Sequence, residues 1–349
     1  MHRFIRKIMC LLLAAMMLAL VPGCGALEET GDASGEEEAS TIEIGMCFDS
    51  FVIERWQRDR DIFVQAAKDL GAEVNVQSAN GDIEEQKKQI KYLIQKKVDV
   101  IVIVCIDSDS LAESVADAKE AGIPVIAYDR MINNADLDLY ISFDNEKVGT
   151  LMGESMIDAG LAGGKVIIIG GSPKDNNVSL VENGFTAVME ENGVEVLDTT
   201  HCDGWRAELA SEYVYEHADL VADCDAIMCG NDSLAGQVVS ALAVQMLAGK
   251  VLVTGQDADL EACQRIVEGT QLMTVYKPVE TLARRAAMCA VQLGKGDPVT
   301  GDDVGSISNG AYSVPYVRLE PVKVTRENMD EAVIGSGFHM KEDVYINVK

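Results

Sequence analysis

Basic residues are in short supply. Lys and Arg number 29 against 57 Asp and Glu, a formal net charge of −28 over 349 residues. Phosphate backbones are held by basic footprints, so this balance excludes a nucleic-acid partner. Histidine is scarcer still, and His201, His217 and His339, the three beyond the N-terminal leader, form no pair at metal-ligand spacing. No GxSxG elbow occurs, and no GxGxxG follows a strand-like run, so acyl-transfer and dinucleotide chemistry lack their signatures. The stretch from Gly160 to Lys165 is one residue short of a phosphate-binding loop. It also carries Val166 where Ser or Thr would hold magnesium, and it precedes a strand rather than following one. Paired carboxylates such as Asp257 and Asp259 are too common in so acidic a chain to mark a glycosidase. Aromatic residues make up 5%, and only two are Trp, which makes the position of each Trp informative. Nothing points to an enzyme, a cofactor or a metal.

Long apolar runs are equally rare. The one clear run, from Ile8 to Val21, follows Arg3, Arg6 and Lys7 and ends in Pro22-Gly23-Cys24. It is short for a membrane span of about 20 residues and reads as a signal peptide over residues 1–23. Gly23-Cys24 behind Leu20-Val21 resembles a bacterial lipobox, which implies cleavage before Cys24 and a lipid on its sulfur. Residues 25–40 then hold six carboxylates among Gly, Ala, Ser and Thr. Such a stretch buries too little to repay ordering and reads as a solvated tether. The other cysteines (Cys47, Cys105, Cys202, Cys224, Cys229, Cys263 and Cys289) form no CxxC pair and mostly close apolar runs, the pattern of buried free thiols.

What is present is an alternation. With 48% hydrophobic residues the chain can fill about two domains. From Thr41, short apolar runs alternate with helical spacing: Thr41–Phe48, then Glu54–Leu70, and onward through Asp99–Val104 (DVIVIV), a run of the kind parallel sheets bury on both faces. The pattern restarts at Lys165–Ile169 (KVIII). Repeated βα units predict an α/β protein of two doubly wound parallel-sheet domains. Their expected extents are residues 41–145 with 278–310, and residues 146–277 with 311–349, joined by a hinge of several crossings. Ligands of open α/β sheets lie beyond the carboxyl ends of the strands. The loops there hold Arg55-Trp56, Asp129-Arg130, Asn176-Asn177, Trp205, Asn231, Asp257 and Lys277. For any one of these the plainer reading is a turn or a helix cap. Together they suit a neutral polyhydroxylated ligand. Carboxylates accept, guanidinium and ammonium groups donate, amides do both, and apolar C–H faces pack on indole. Each Trp sits in a polar loop, Arg55-Trp56-Gln57 and Gly204-Trp205-Arg206, poor context for a core residue.

At these loops the chain resembles the type I periplasmic sugar-binding proteins, and within them the D-xylose-binding branch. The matching stretches are Glu54-Arg55-Trp56-Gln57, Ala127-Tyr128-Asp129-Arg130, Asp175-Asn176-Asn177, Asp203-Gly204-Trp205, Gly255-Gln256-Asp257, Thr274-Val275-Tyr276-Lys277-Pro278 and Gly337-Phe338-His339. The likeness runs from about Ile42 to His339. It implies the type I periplasmic binding protein fold. It also implies that Trp56 and Trp205 stack on a pyranose while Arg55, Asp129, Arg130, Asn177, Asn231, Asp257 and Lys277 bond its hydroxyls. Asn176 remains an alternative to Asn177. The implied partners are D-xylose or a related monosaccharide, an ABC importer permease, and the membrane through a lipid on Cys24. The expected molecule is a monomer outside the cytoplasmic membrane. A xylose-sensing co-receptor of a membrane histidine kinase would use the same pocket.

Overall fold

The structure, a computed structural model, describes residues 41–348. The expected signal peptide, Cys24 and the acidic tether lie outside the described residues. Two parallel sheets form the body. The first contains β1 (Ile42–Phe48), β2 (Ala72–Ser78), β3 (Val100–Ile103), β4 (Val125–Tyr128) and β5 (Leu139–Phe143), with β11 (Val304–Ser308) and β12 (Ser313–Leu319) added at one edge. Its order is β11-β12-β5-β4-β3-β1-β2, parallel except for the β11–β12 hairpin. The second contains β6 (Lys165–Gly170), β7 (Glu195–His201), β8 (Ala226–Cys229), β9 (Leu252–Gln256), β10 (Met273–Tyr276) and β13 (Val322–Val324). Its order is β13-β10-β9-β8-β6-β7, with only β13 antiparallel. The central strands are buried on both faces, as their unbroken apolar composition requires.

Each sheet is flanked by the helices that connect its strands. In the first lobe these are α1 (Arg55–Asp69), α2 (Ile83–Lys96) and α3 (Ala112–Glu120). In the second they are α4 (Asn145–Asp158), α5 (Asn176–Glu191), α6 (Glu208–Glu216), α7 (Ala218–Ala222), α8 (Asp232–Val244) and α9 (Leu260–Glu268). Helix α10 (Val279–Gly294) returns to pack on α1 in the first lobe, and α11 (Lys341–Val344) closes the second. Local chemistry sets the ends. Asp82 caps α2 by accepting from Glu84 N and Glu85 N, and Gly269, with φ of 89°, stops α9 where a side chain would strain the turn. Helices α4 and α5 meet through glycine. A Cβ on Gly149 would lie 1.8 Å from Val181 O, and one on Gly184 would lie 1.9 Å from Glu146 O.

The chain passes between lobes three times: after β5, after β10 and after β12. The last crossing differs from expectation. The chain was expected to leave the first lobe at residue 311, but β12 pairs with β5 in the first sheet, so the crossing falls between Leu319 and Val322. The reason is that β12 supplies a sheet edge that the β1–β5 units lack. All seven cysteines of the described residues are buried and free. Burial pushes the Cys47 and Cys105 thiols up to about 12, which leaves them unreactive. No helix among the described residues is long and apolar enough to cross a membrane.

Candidate functional site

The carboxyl ends of both sets of strands face each other, and the loops that follow them line one cleft. All nine residues singled out in the sequence lie in its walls: Arg55, Trp56, Asp129, Arg130, Asn177, Trp205, Asn231, Asp257 and Lys277. Each is between 1% and 8% exposed. The first lobe contributes Arg55 and Trp56 from the start of α1, and Asp129 and Arg130 from the turn after β4. The second contributes Asn177 from the first turn of α5, Trp205 from the turn after β7, Asn231 from the start of α8 and Asp257 from the turn after β9. Lys277 sits at the second crossing itself. Asn176 is only half-buried and lies outside the cleft wall. The walls approach closely and enclose a cavity of about 30 Å³. That describes a thin slot suited to one small ring.

One of the nine, Asn231, and a further residue of the cleft wall, Asp175, are also helix caps. Asn231 Oδ1 accepts from Leu234 N at 2.9 Å at the head of α8, which leaves its Nδ2 for the cleft. Asp175 caps α5 by accepting from Asn177 N at 2.9 Å. The plainer and the functional readings therefore hold together, because capping fixes the backbone that aims the rest of the side chain.

Charged groups in the cleft are paired before any ligand enters. Arg55 donates to Asp59 at 3.2 Å through both Nε and Nη2, and its Nη2 reaches Asp129 at 3.0 Å. Asp59 also accepts from the Tyr128 hydroxyl at 2.5 Å. Arg130 Nη1 donates to Asp49 at 2.8 Å and to Cys105 O at 3.0 Å, while its Nε faces Asp175 of the other lobe at 2.7 Å. Burial works against charge on Arg55, but Asp129, Asp59 and Asp257 outweigh it and hold its pKa well above the usual value. Burial likewise opposes ionisation of Asp129, and Arg55, Lys277 and Arg130 override it, lowering its pKa. Asp49, Asp59 and Asp175 were not among the expected site residues. Only their buried partners, Arg130 for Asp49 and Asp175 and Arg55 with Tyr128 for Asp59, identify them.

These pairings leave little net positive field. Three cations, Arg55, Arg130 and Lys277, meet five carboxylates, Asp49, Asp59, Asp129, Asp175 and Asp257. An anion such as a phosphate would meet a surplus of carboxylates, whereas a neutral molecule with hydroxyls finds fixed donors and acceptors. Buried polar atoms without hydrogen-bond partners mark where these point: Arg130 Nη2, Asp257 Oδ1 and both indole N–H groups. Asp257 Oδ1 lies 3.7 Å from both Arg55 Nη1 and Lys277 Nζ, beyond hydrogen-bond reach.

The backbone is shaped around the same groups. Asp129, Trp205 and Asp257 have φ of 63°, 58° and 96°, in the left-handed region that side chains rarely enter. Such strain persists where surroundings impose it, and it clusters at binding sites. Gly171 makes the floor under Trp205, since a Cβ there would lie 2.2 Å from the indole Cη2. The Trp56 ring carries the Arg55 guanidinium 4.4 Å from its centroid, which fixes the indole before any ligand arrives.

Fold and cleft together define a class: a two-lobed binding protein that encloses a small neutral solute between its lobes. The family model described as periplasmic binding protein domain matches residues 44–298, and the chain belongs to that family. The D-xylose-binding periplasmic protein of Haemophilus influenzae is 44% identical over 319 residues, covering 89% of this chain and 95% of the relative. The protein of the same description from Escherichia coli is 44% identical over 313 residues, covering 88% and 93%. Among solved structures, an ABC transporter solute binding protein from Clostridium phytofermentans with bound β-D-glucose matches with a TM-score of 0.77 and 30% identity. That match covers 86% of this chain and 99% of the other. The chain is a binding protein and not an enzyme.

Proposed function

We infer that this chain captures D-xylose in the interlobe cleft, outside the cytoplasmic membrane, and delivers it in the closed form to an ABC importer. The observation that carries the reading is the meeting, in one thin slot, of both Trp residues with a ring of carboxylates, amides and cations that keeps unpartnered donors and acceptors at Arg130 Nη2 and Asp257 Oδ1. A pyranose presents hydroxyls that donate and accept around its rim and C–H faces above and below, which is what such a slot satisfies. The 44% identity to two proteins described as D-xylose-binding supports the choice of sugar. The lipobox-like Leu20-Val21-Pro22-Gly23-Cys24 supports a lipid anchor on Cys24.

Selectivity follows from desolvation. Once the lobes close, a sugar that leaves one buried group unpaired loses about 1–3 kcal/mol. An extra hydroxymethyl at C5 must also find room in the slot. The glucose-bound neighbour favours a second reading, a hexose, at 30% identity. Calorimetric titration with D-xylose, D-ribose, L-arabinose and D-glucose separates the two. D-xylose is expected to bind most tightly, and a preference for glucose would replace the pentose reading. Intact-mass measurement of the membrane fraction tests the anchor, which should disappear in Cys24→Ala.

A further inference from the structure

Gly337-Phe338-His339 contributes no side chain to the cleft, yet it braces the site from behind. Asp257 reaches the cleft from a turn in which the next residue, Ala258, also has a positive φ, 56°. The His339 ring donates through Nε2 to Ala258 O at 2.7 Å. Phe338 packs on Tyr276, the residue before Lys277, with centroids 4.7 Å apart, and meets His339 edge-on at 4.5 Å. The segment thus holds two turns that carry cleft groups of the second lobe. Its outer side meets the first lobe. Arg58 Nη1 donates to Phe338 O at 2.8 Å, and the guanidinium lies 4.0 Å from the Phe338 centroid. Arg58 follows Arg55 by one helical turn on α1. One helix therefore sends Arg55 toward Asp257 inside the cleft and Arg58 onto the strap outside it.

We propose that Arg58, Phe338 and His339 form a closure latch, positioning residues that slow ligand release by tying the first lobe to the turn that carries Asp257. The inference rests on the reading of this chain as a sugar-capturing protein that closes on its ligand. Arg58 and Phe338 belong to opposite lobes, so parting of the lobes at this edge breaks their contacts. Neither is in the cleft wall. The groove they line is open at the surface beside Glu54 and Asp259, which screens the pair and keeps its effect moderate.

Release of D-xylose from the full chain, followed by the fluorescence of Trp56 and Trp205 in stopped flow, tests the latch. Arg58→Ala and Phe338→Ala should each speed release by about 3- to 10-fold and leave association within about twofold. Arg58→Lys keeps the charge and a donor but not the planar stacking, and should recover part of the loss. Arg58→Ala should leave the unfolding midpoint of the ligand-free protein in place, which a merely structural role would not. Wild-type binding with unchanged release in both alanine variants overturns the latch alone. No binding of D-xylose by the wild type overturns the ligand reading and the latch with it.

Discussion

At the scale of single residues, the two indoles are the most exposed to test. Trp205 lies on a floor made by Gly171 and holds a left-handed φ of 58°, so its orientation is built in. Trp56 is fixed by the guanidinium of its neighbour Arg55. Aromatic packing against a sugar face should then be worth a large share of affinity. Trp56→Ala and Trp205→Ala should each weaken D-xylose binding by about 1–3 kcal/mol in calorimetry, with Trp205→Phe losing less. An unaltered Kd in both alanine variants would remove stacking from the account. Scarcity made these residues legible, because two Trp in polar loops stand out from an aromatic-poor chain. Asp59 was not legible. In sequence it is one of three acids on a helix that also carries four basic residues. It is fully buried because Tyr128 of β4 and Arg55 close over it, a tertiary arrangement that no local pattern encodes. Asp49 and Asp175 are hidden for the same reason. Each reads as a turn or cap residue until Arg130 is placed between them.

At the scale of elements, Asp232 shows how one side chain joins three. It opens α8 and is almost wholly buried. Its Oδ2 accepts from Thr274 Oγ1 at 2.7 Å and from Asp259 N at 3.1 Å, and its Oδ1 accepts from Gln271 Nε2 at 2.8 Å. Its backbone carbonyl accepts from Arg265 Nη2 at 3.0 Å, so α8, α9 and β10 share one anchor. Burial pushes this carboxyl up to about 7, with Asp257 adding to the effect and Arg265, Thr274 and Gln271 opposing it. The unfolded chain loses the same proton near 3.8. The folded state therefore binds more protons between these values. The stability this group lends is full below the lower value and is lost as pH rises through the upper one. Unfolding free energy should fall by about 2 kcal/mol from this source between pH 5 and pH 7. Asp232→Asn should flatten that slope in urea titrations, whatever it costs at every pH. Parallel pH profiles for variant and wild type would show that the proton resides elsewhere.

The same scale explains which elements could be read in advance. Strands such as β3 and β8 are unbroken apolar runs because both faces are covered, and the helices between them keep a clear apolar stripe. β11 and β12 are hard to read from sequence because they form the outer hairpin of the sheet. Half-exposed, carrying Gly305 and Pro315, they have neither a continuous run nor a clean alternation. That difficulty displaced the third crossing.

At the scale of the whole molecule, the acidic surplus extends into the cleft, where five carboxylates face three cations. What matters within is which lobe holds which partner. Arg130 is gripped by Asp49 from its own lobe and by Asp175 from the other, and all three are buried. Two further hydrogen bonds between the lobes reinforce the closed arrangement. Ser108 N donates to Lys174 O at 2.9 Å, and Asn177 Nδ2 donates to Asp129 O at 3.1 Å. Burial pushes the Asp175 carboxyl up while Arg130 opposes it, so the pair's net worth is a difference between large terms. Removing one partner is not a difference. It leaves Arg130 short of compensation in a dry site, at a cost of about 3–5 kcal/mol if nothing moves. A two-lobed protein can move. Separating the lobes returns water to Arg130, so Asp175→Asn should penalise the closed form and spare the open one. Asn also caps α5 as well as Asp does, which isolates the charge from the cap. D-xylose affinity should fall by about 10²-fold, with the ligand-free unfolding midpoint nearly unchanged. Asp49→Asn should behave differently, because Asp49 and Arg130 share a lobe and stay together when the lobes part. It should lower ligand-free stability as well as affinity. Calorimetric titration and ligand-free thermal unfolding of the two variants decide the matter. Equal losses of ligand-free stability in both would mean that the Arg130–Asp175 pair holds the fold itself rather than its closure.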